Sequence, residues 1–211
     1  MIHGVPVIDA DGHIMDWDDV VRPYLPEQYR RRALFYPLEN CDRDLGGTLG
    51  KHWLRDLPTR LTDMDQEGID VSVLYPTVGL MLGRVREPEF AAALCQAYNN
   101  FVADFCRQSP RMKAVAMVPL QHIPAAVSEL RRAVEELGLV GVMLPAHGHG
   151  KNLGSPEFHP LYAEAQRLSC PVAIHANGGV GGADVEAQVF EQLSVSIPSG
   201  IRFPRCSNSP G

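Results

Sequence analysis

The sequence has no long apolar run and no pattern of paired cysteines. No stretch approaches the roughly 18 to 20 consecutive apolar residues that a membrane-spanning helix requires. The 5 cysteines are odd in number and include no C-x-x-C pair, which argues against a disulfide framework and against a structural zinc knuckle. The first residues, MIHGVPVID, lack the basic start and the apolar stretch of a signal peptide. We therefore expect a cytoplasmic protein that does not enter a membrane.

The chain also has no excess of basic charge. It contains 19 Lys and Arg against 25 Asp and Glu, which gives a formal net charge of -6. Nucleic-acid-binding proteins usually carry a basic patch, and the basic cluster at 30–32 is more typical of a solvated helix face. We expect no nucleic-acid partner and a small-molecule ligand instead, and association into a homo-oligomer stays open.

A regular alternation of strand-like and helix-like segments is present. Short valine-rich runs, typical of buried parallel strands, lie at 5–9, 70–76, 113–119, 139–145 and 170–175. Segments with helical periodicity separate them, at 59–67, 88–107, 123–137 and 156–168. Two of these segments end near a glycine, Gly68 and Gly138, which is a common signal for the end of a helix. The alternation predicts an α/β chain with right-handed crossovers.

Two parallel α/β architectures fit this alternation, and the turn after the first strand distinguishes them. A doubly wound nucleotide-binding sheet has a glycine-rich phosphate turn there, whereas this chain has DADGH. The later stretch GGVGGAD (178–184) lacks the third glycine of G-x-G-x-x-G, so we interpret it as a βα loop. The sequence therefore favours a (β/α)8 TIM barrel, of which about the first five βα units are present.

The stretch DADGH carries the main functional signal. Alternate side chains of a strand point to the same face, so Asp9, Asp11 and His13 are expected to converge. Functional groups of barrels lie at the carboxyl ends of strands, and His13, His147 and His175 all follow predicted strands. Carboxylates and imidazoles are ligands for divalent cations such as zinc. We predict Asp11, His13 and His175 as metal ligands.

The remaining candidates are open to structural roles. Two roles remain open for Asp9: its carboxylate could support the metal ligands or hold a turn. For His147 and His149 in AHGHG, a hydrogen-bonded structural role is preferred over a role as metal ligands. His122 and His159 stand at predicted helix starts, where capping or surface roles fit better.

Longer motifs carry a family resemblance. The stretches VIDADGHIMD, RLTDMDQEGIDVSVLYPT, VGVMLPAH and FHPLYAEAQRLSCPVAIHANGG resemble the amidohydrolase family 2 group, which is related to aminocarboxymuconate-semialdehyde decarboxylase. The resemblance implies a barrel of the metal-dependent hydrolase type, with a metal held by a first-strand pair, a strand-five histidine and a strand-eight aspartate. Asp11 and His13 match the pair and His175 matches the strand-five histidine. Asp11 stands where the decarboxylase pattern has histidine.

The resemblance also implies a chemistry. The expected cofactor is a divalent metal, zinc first, with manganese or magnesium as alternatives. The expected reaction is non-oxidative decarboxylation of a small aromatic or unsaturated carboxylic acid, ranked ahead of hydrolysis of a related bond. The alternative from another functional class is an inactive fragment or binding module that keeps half of the metal cradle.

The end of the chain departs from the family pattern. Residues 1–187 correspond to the N-terminal part of the barrel, with an insertion at about 17–58 that includes a predicted helix near PEQYRRRALF. Residues 188–211 are rich in Ser, Pro and Arg and lack βα periodicity, so we interpret them as an irregular, non-native continuation. The strand-eight aspartate has no counterpart, and no catalytic residue is assigned. Our hypothesis is a truncated or frame-shifted product, and the alternative is a short protein that completes its barrel with another chain.

Overall fold

A five-stranded parallel sheet forms the centre of the protein. The computed structural model describes residues 4–16, 18–32, 56–145 and 151–175. The strands are β1 (Ile8–Ile14), β2 (Val71–Pro76), β3 (Met112–Met117), β4 (Gly141–Pro145) and β5 (Val172–His175). All four neighbouring pairs are parallel, and the spatial order β1-β2-β3-β4-β5 is the order along the chain.

Helices connect the strands, and local sequence signals set their ends. They are α1 (Asp18–Val21), α2 (Leu57–Glu67), α3 (Pro88–Cys106), α4 (Ile123–Glu135) and α5 (His159–Arg167), with short 3-10 helices at Arg22–Tyr24, Glu27–Tyr29, Gly79–Arg84 and Pro156–Phe158. The Asp56 carboxylate caps α2 by accepting the Thr59 amide hydrogen at 2.9 Å. The same helix ends at Gly68, whose φ of 72° is left-handed and favours glycine.

Each strand is added beside the preceding strand of the chain, so the sheet grows in one direction only. Right-handed crossovers between successive neighbours place every connecting helix on the same face. In a flat sheet, β1 and β5 would lie about 19 Å apart, four times the usual spacing of about 4.8 Å. The rings of His13 on β1 and His175 on β5 are nevertheless 5.1 Å apart between centroids. The sheet therefore curls into a half-barrel, with these side chains on its concave face.

Most element boundaries agree with the sequence prediction within about three residues, and the first strand is the exception. The prediction ended it at residue 9, but β1 continues to Ile14, which pairs with Pro76 of β2. The acidic stretch is therefore part of the strand. In the 17–58 insertion, the predicted helix near residues 26–35 appears as the short 3-10 helix Glu27–Tyr29. The glycine-rich stretch at 178–184, the tail at 188–211 and the residues from 33 to 55 lie outside the described residues.

The packed core lies between the strands and the helices on the outer face. Tyr98 and Val102 of α3 are almost fully buried, as is Met112 of β3. On the last described strand, Val172 and Ile174 remain 36% and 56% exposed. Within the described ranges, no helix combines the length and apolar character needed to cross a bilayer.

Candidate metal centre

Three potential metal ligands converge on the concave face of the half-barrel. Asp11 and His13 come from β1 and His175 is the last residue of β5, and one ligand atom from each lies within 4.8 Å of the others. His175 Nε2 is 3.6 Å from Asp11 Oδ1. Within the part of the chain that the structure describes, this is the one group of three or more side chains of these types at such distances.

A backbone carbonyl fixes the orientation of one imidazole. His13 Nδ1 is 3.0 Å from the carbonyl oxygen of Pro76, at the end of β2. Because a carbonyl oxygen can only accept, Nδ1 is the protonated nitrogen and donates this bond. The lone pair then resides on Nε2, and a carbonyl partner of this kind is the usual support for a metal-binding histidine.

The surroundings of His13 favour its neutral form. Burial lowers the pKa of the His13 imidazole below its ordinary value, and the neighbouring His175 adds to the effect. A neutral imidazole is the form that binds a metal ion. The Asp11 carboxylate is 74% exposed on the concave side. Two imidazoles and one accessible carboxylate therefore fit a divalent cation.

Tyr75 completes the surroundings and was missed by the sequence analysis. Its ring centroid lies 6.2 Å from that of His13 and 5.7 Å from that of His175, and the residue is 9% exposed. Burial raises the pKa of the phenol, and the charge of Asp11 raises it further, so the hydroxyl stays protonated at neutral pH. The signal was the pairing of His13 with Tyr75, which becomes visible once the register of β1 on β2 is known.

A buried carboxylate, also missed, fixes the loop beside the centre. Asp16 is 2% exposed and accepts three backbone amide hydrogens, from Thr77 and Gly79 at 2.8 Å and from Val78 at 2.7 Å. Burial raises the pKa of this carboxyl group, while the three amides oppose the shift. The Thr77 hydroxyl also donates to the Ile14 carbonyl at 2.9 Å. These bonds join the carboxyl ends of β1 and β2, next to the Pro76 carbonyl that accepts the hydrogen bond of His13.

The expectation that Asp9 shares a face with Asp11 and His13 is wrong. Asp9 pairs with Ser72 and Gly12 pairs with Leu74, so β1 contains one more residue than β2 over this interval. Such a β-bulge shifts the alternation by one position. The Asp9 carboxylate points away from the centre and accepts the Ser72 hydroxyl at 3.0 Å.

The other histidines take different places. His122 caps α4, with Nδ1 accepting the Ala125 amide hydrogen at 3.3 Å, which agrees with the predicted capping role. His159 is an exposed residue at the start of α5, as expected for a surface role. His147 and His149 lie outside the described residues.

Comparisons with known proteins place the chain in a family. A family model described as amidohydrolase matches residues 8–196, and the chain belongs to this family. The 2-amino-3-carboxymuconate-6-semialdehyde decarboxylase of Dictyostelium discoideum is 32% identical over 153 residues, which cover 72% of this chain and 42% of that protein. The recognised resemblance is thereby confirmed.

Solved structures support the fold. The 2,6-dihydroxybenzoate decarboxylase from Rhizobium matches 89% of this chain and 54% of its own, with a TM-score of 0.64 and 22% identity. The dihydroxybenzoic acid decarboxylase from Polaromonas sp. JS666, solved with bound manganese and an inhibitor, matches 92% of this chain and 55% of its own, with a TM-score of 0.62 and 18% identity. The predicted TIM-barrel fold is confirmed, and the chain spans about half the length of these relatives.

Proposed function

We propose that Asp11, His13 and His175 hold a divalent metal in the active site of a non-oxidative decarboxylase of small aromatic carboxylic acids. The observation that carries the proposal is the convergence of three ligand atoms within 4.8 Å from two strands at opposite ends of the sheet order. Membership of the amidohydrolase family supports it, as do the decarboxylase names of the relatives.

Each described side chain has a separate task in this proposal. The metal, when bound, would act as a Lewis acid that polarises a water molecule or an oxygen of the substrate. His13 binds through Nε2 because the Pro76 carbonyl holds its other nitrogen. The Tyr75 ring limits the access of water beside the two histidines. Its protonated hydroxyl is suited to donate a hydrogen bond to a carboxylate or phenolate oxygen.

The substrate class rests on the relatives. One solved structure of 2,6-dihydroxybenzoate decarboxylase contains 2,6-dihydroxybenzoate, a small aromatic carboxylate. Decarboxylation needs a proton donor at the carbon that loses the carboxyl group, and the described residues do not identify that donor. A small aromatic carboxylate is therefore proposed as the partner, with hydrolysis of a related bond and a metal-binding module without turnover as the alternatives.

The identity of the metal is proposed as zinc, with manganese as the nearest competitor. Zinc binds imidazole and carboxylate ligands in three-ligand catalytic sites. A carboxylate is harder than an imidazole, so the Asp11 position lessens the preference for zinc. The manganese in the Polaromonas structure supports the competitor.

Metal analysis and an activity assay of the purified 211-residue chain test the proposal. Protein grown in a medium that contains zinc, manganese and magnesium should retain close to one divalent ion per chain. Carbon dioxide release from 2,6-dihydroxybenzoate would establish the decarboxylase, whereas bound metal without turnover would establish the binding module. A chain that retains no metal, and gains none on titration with zinc or manganese, would contradict the assignment of the three ligands.

A further inference from the structure

The orientation of the two β1 ligands depends on the bulge that precedes them. In an unbulged strand, Asp9 would lie on the same face as Asp11 and His13. The extra residue between Asp9 and Gly12 separates Asp9 from the pair and directs the pair to the concave face. Whatever holds the bulge therefore also determines where the ligands point.

The Asp9 carboxylate bridges the bulge. Its Oδ1 accepts the backbone amide hydrogen of Asp11 at 3.2 Å, and its Oδ2 accepts the hydroxyl of Ser72 on β2 at 3.0 Å. Ser72 is 1% exposed, so water does not compete with Asp9 for its hydroxyl hydrogen. One side chain thus joins the bulged residue to the neighbouring strand.

The space around Gly12 shows how closely these groups pack. A Cβ atom at this position would lie 2.3 Å from Ser72 Oγ and 2.8 Å from Asp9 Oδ2. These separations are shorter than van der Waals contact, so a larger residue would displace the bridge. Glycine at this position therefore permits the Asp9–Ser72 contact.

A buried arginine supports the same stretch from the helix side. Arg60 of α2 is 8% exposed, and its guanidinium donates to the carbonyl oxygen of His13. Burial lowers the pKa of Arg60, and the negative charge of Asp9 is the largest opposing influence. The backbones of both β1 ligands are therefore held from the outer face, Asp11 by Asp9 and His13 by Arg60.

We infer that Asp9 is a positioning residue for the metal centre, which acts by holding the bulge that turns Asp11 and His13 toward His175. The inference rests on the proposed function, since it concerns the same three ligands. It adds a residue that binds neither metal nor substrate. Its effect should appear as a change in metal affinity and in ring orientation, beyond any loss of global stability.

Two variants remove the bridge in different ways. Asp9→Asn keeps one acceptor oxygen and loses the other, and Ser72→Ala removes the hydroxyl without changing the charge. Residues that orient metal ligands typically change affinity by about 10 to 100-fold, and we expect the manganese dissociation constant of Asp9→Asn to rise by this factor. Ser72→Ala should show a smaller increase in the same direction. Isothermal titration of the metal-free protein with manganese measures both.

A matched control separates positioning from general loosening. Asn99 is fully buried, and its side chain bonds both the amide and the carbonyl of Met117 on β3 at 2.9 Å. Asn99→Ala therefore frees a strand backbone in a similar way, but β3 contributes none of the three proposed ligands. We expect a lowered Tm with unchanged manganese affinity. Equal weakening in Asn99→Ala and Asp9→Asn would overturn the inference, as would an unchanged affinity in Asp9→Asn.

A readout without metal keeps this test independent of the proposed function. Long-range 1H–15N spectra of the metal-free protein report which nitrogen of His13 carries the proton. The wild-type ring should be held as the Nδ1–H tautomer by the Pro76 carbonyl. In Asp9→Asn we expect a mixture of tautomers, and in Asn99→Ala the wild-type signal. If the wild-type chain binds neither zinc nor manganese, the proposed function fails, and an unchanged tautomer in Asp9→Asn would overturn the positioning role by itself.

Discussion

His175 offers the sharpest test of the metal centre, because it is the ligand that does not come from β1. Its Nε2 lies 3.6 Å from Asp11 Oδ1, and its ring is 5.1 Å from that of His13. Replacing it with alanine removes one of the three protein ligands and leaves the β1 pair unchanged. Loss of a group that only orients a ligand costs about 10 to 100-fold in affinity, so loss of a ligand should cost at least that much. This corresponds to about 1.4 to 2.7 kcal/mol of binding free energy.

The measurement is metal titration of His175→Ala against a matched histidine variant. His159 is exposed at the start of α5 and is absent from the ligand cluster, so His159→Ala should bind metal as the wild type does. Thermal unfolding of the metal-free forms checks that both variants fold. Equal affinities in His175→Ala and the wild type, with both folded, would refute the assignment of His175 and the role of β5 in the site.

Three further predictions concern the scaffold. Gly12→Ala should lower the free energy of unfolding by about 1 to 3 kcal/mol through overpacking, as measured by urea unfolding. The double variant with Ser72→Ala should lose less than the sum of the two single effects, because the 2.3 Å contact between the new Cβ and Ser72 Oγ is then relieved. Hydrogen bonds from Arg167 and then from Arg131 lower the pKa of Glu164 to about 2. The stability that the ionised carboxylate contributes at neutral pH is therefore lost as the pH falls from about 4.3 toward about 2. Glu164→Gln should reduce the difference in unfolding free energy between pH 5 and pH 3. Ile174 is 56% exposed on the last described strand, and an exposed apolar residue at a sheet edge favours association. Ile174→Lys should therefore reduce concentration-dependent association in analytical ultracentrifugation, and unchanged association would exclude this surface.

The sequence was sufficient to predict the strand and helix order and the convergence of Asp11, His13 and His175. Asp11 and His13 are two residues apart and both reach the ligand cluster, as the alternation rule predicts. His175 was identified because it follows a strand on the same end of the fold, which the parallel order guarantees. Both inferences depend on local pattern and on the direction of the strands.

The errors and omissions share a different cause. The orientation of Asp9 depends on the bulge against Ser72, which is 63 residues away along the chain. The position of Tyr75 beside the histidines depends on the same register between β1 and β2. A sequence pattern within one strand contains no information about the register with its neighbour. Side-chain pairing across strands was therefore outside what the alternation of residues could predict.

A metal bound to all three side chains would join β1 to β5, which no ladder of backbone bonds connects among the described strands. The last described strand should gain the most from this link, because Val172 and Ile174 are partly exposed and β4 supplies its paired neighbour. At a free manganese concentration about 100 times the dissociation constant, binding stabilises the folded chain by about 2.7 kcal/mol.

Hydrogen exchange with and without manganese measures where this stabilisation appears. We expect slower exchange of the amides of β5 as well as those of β1, since the metal would restrain both strands. His175→Ala should retain some protection in β1 and lose the metal-dependent protection in β5. Protection confined to β1 in the wild type would mean that Asp11 and His13 bind the ion without His175, and the proposed bridge across the half-barrel would be wrong.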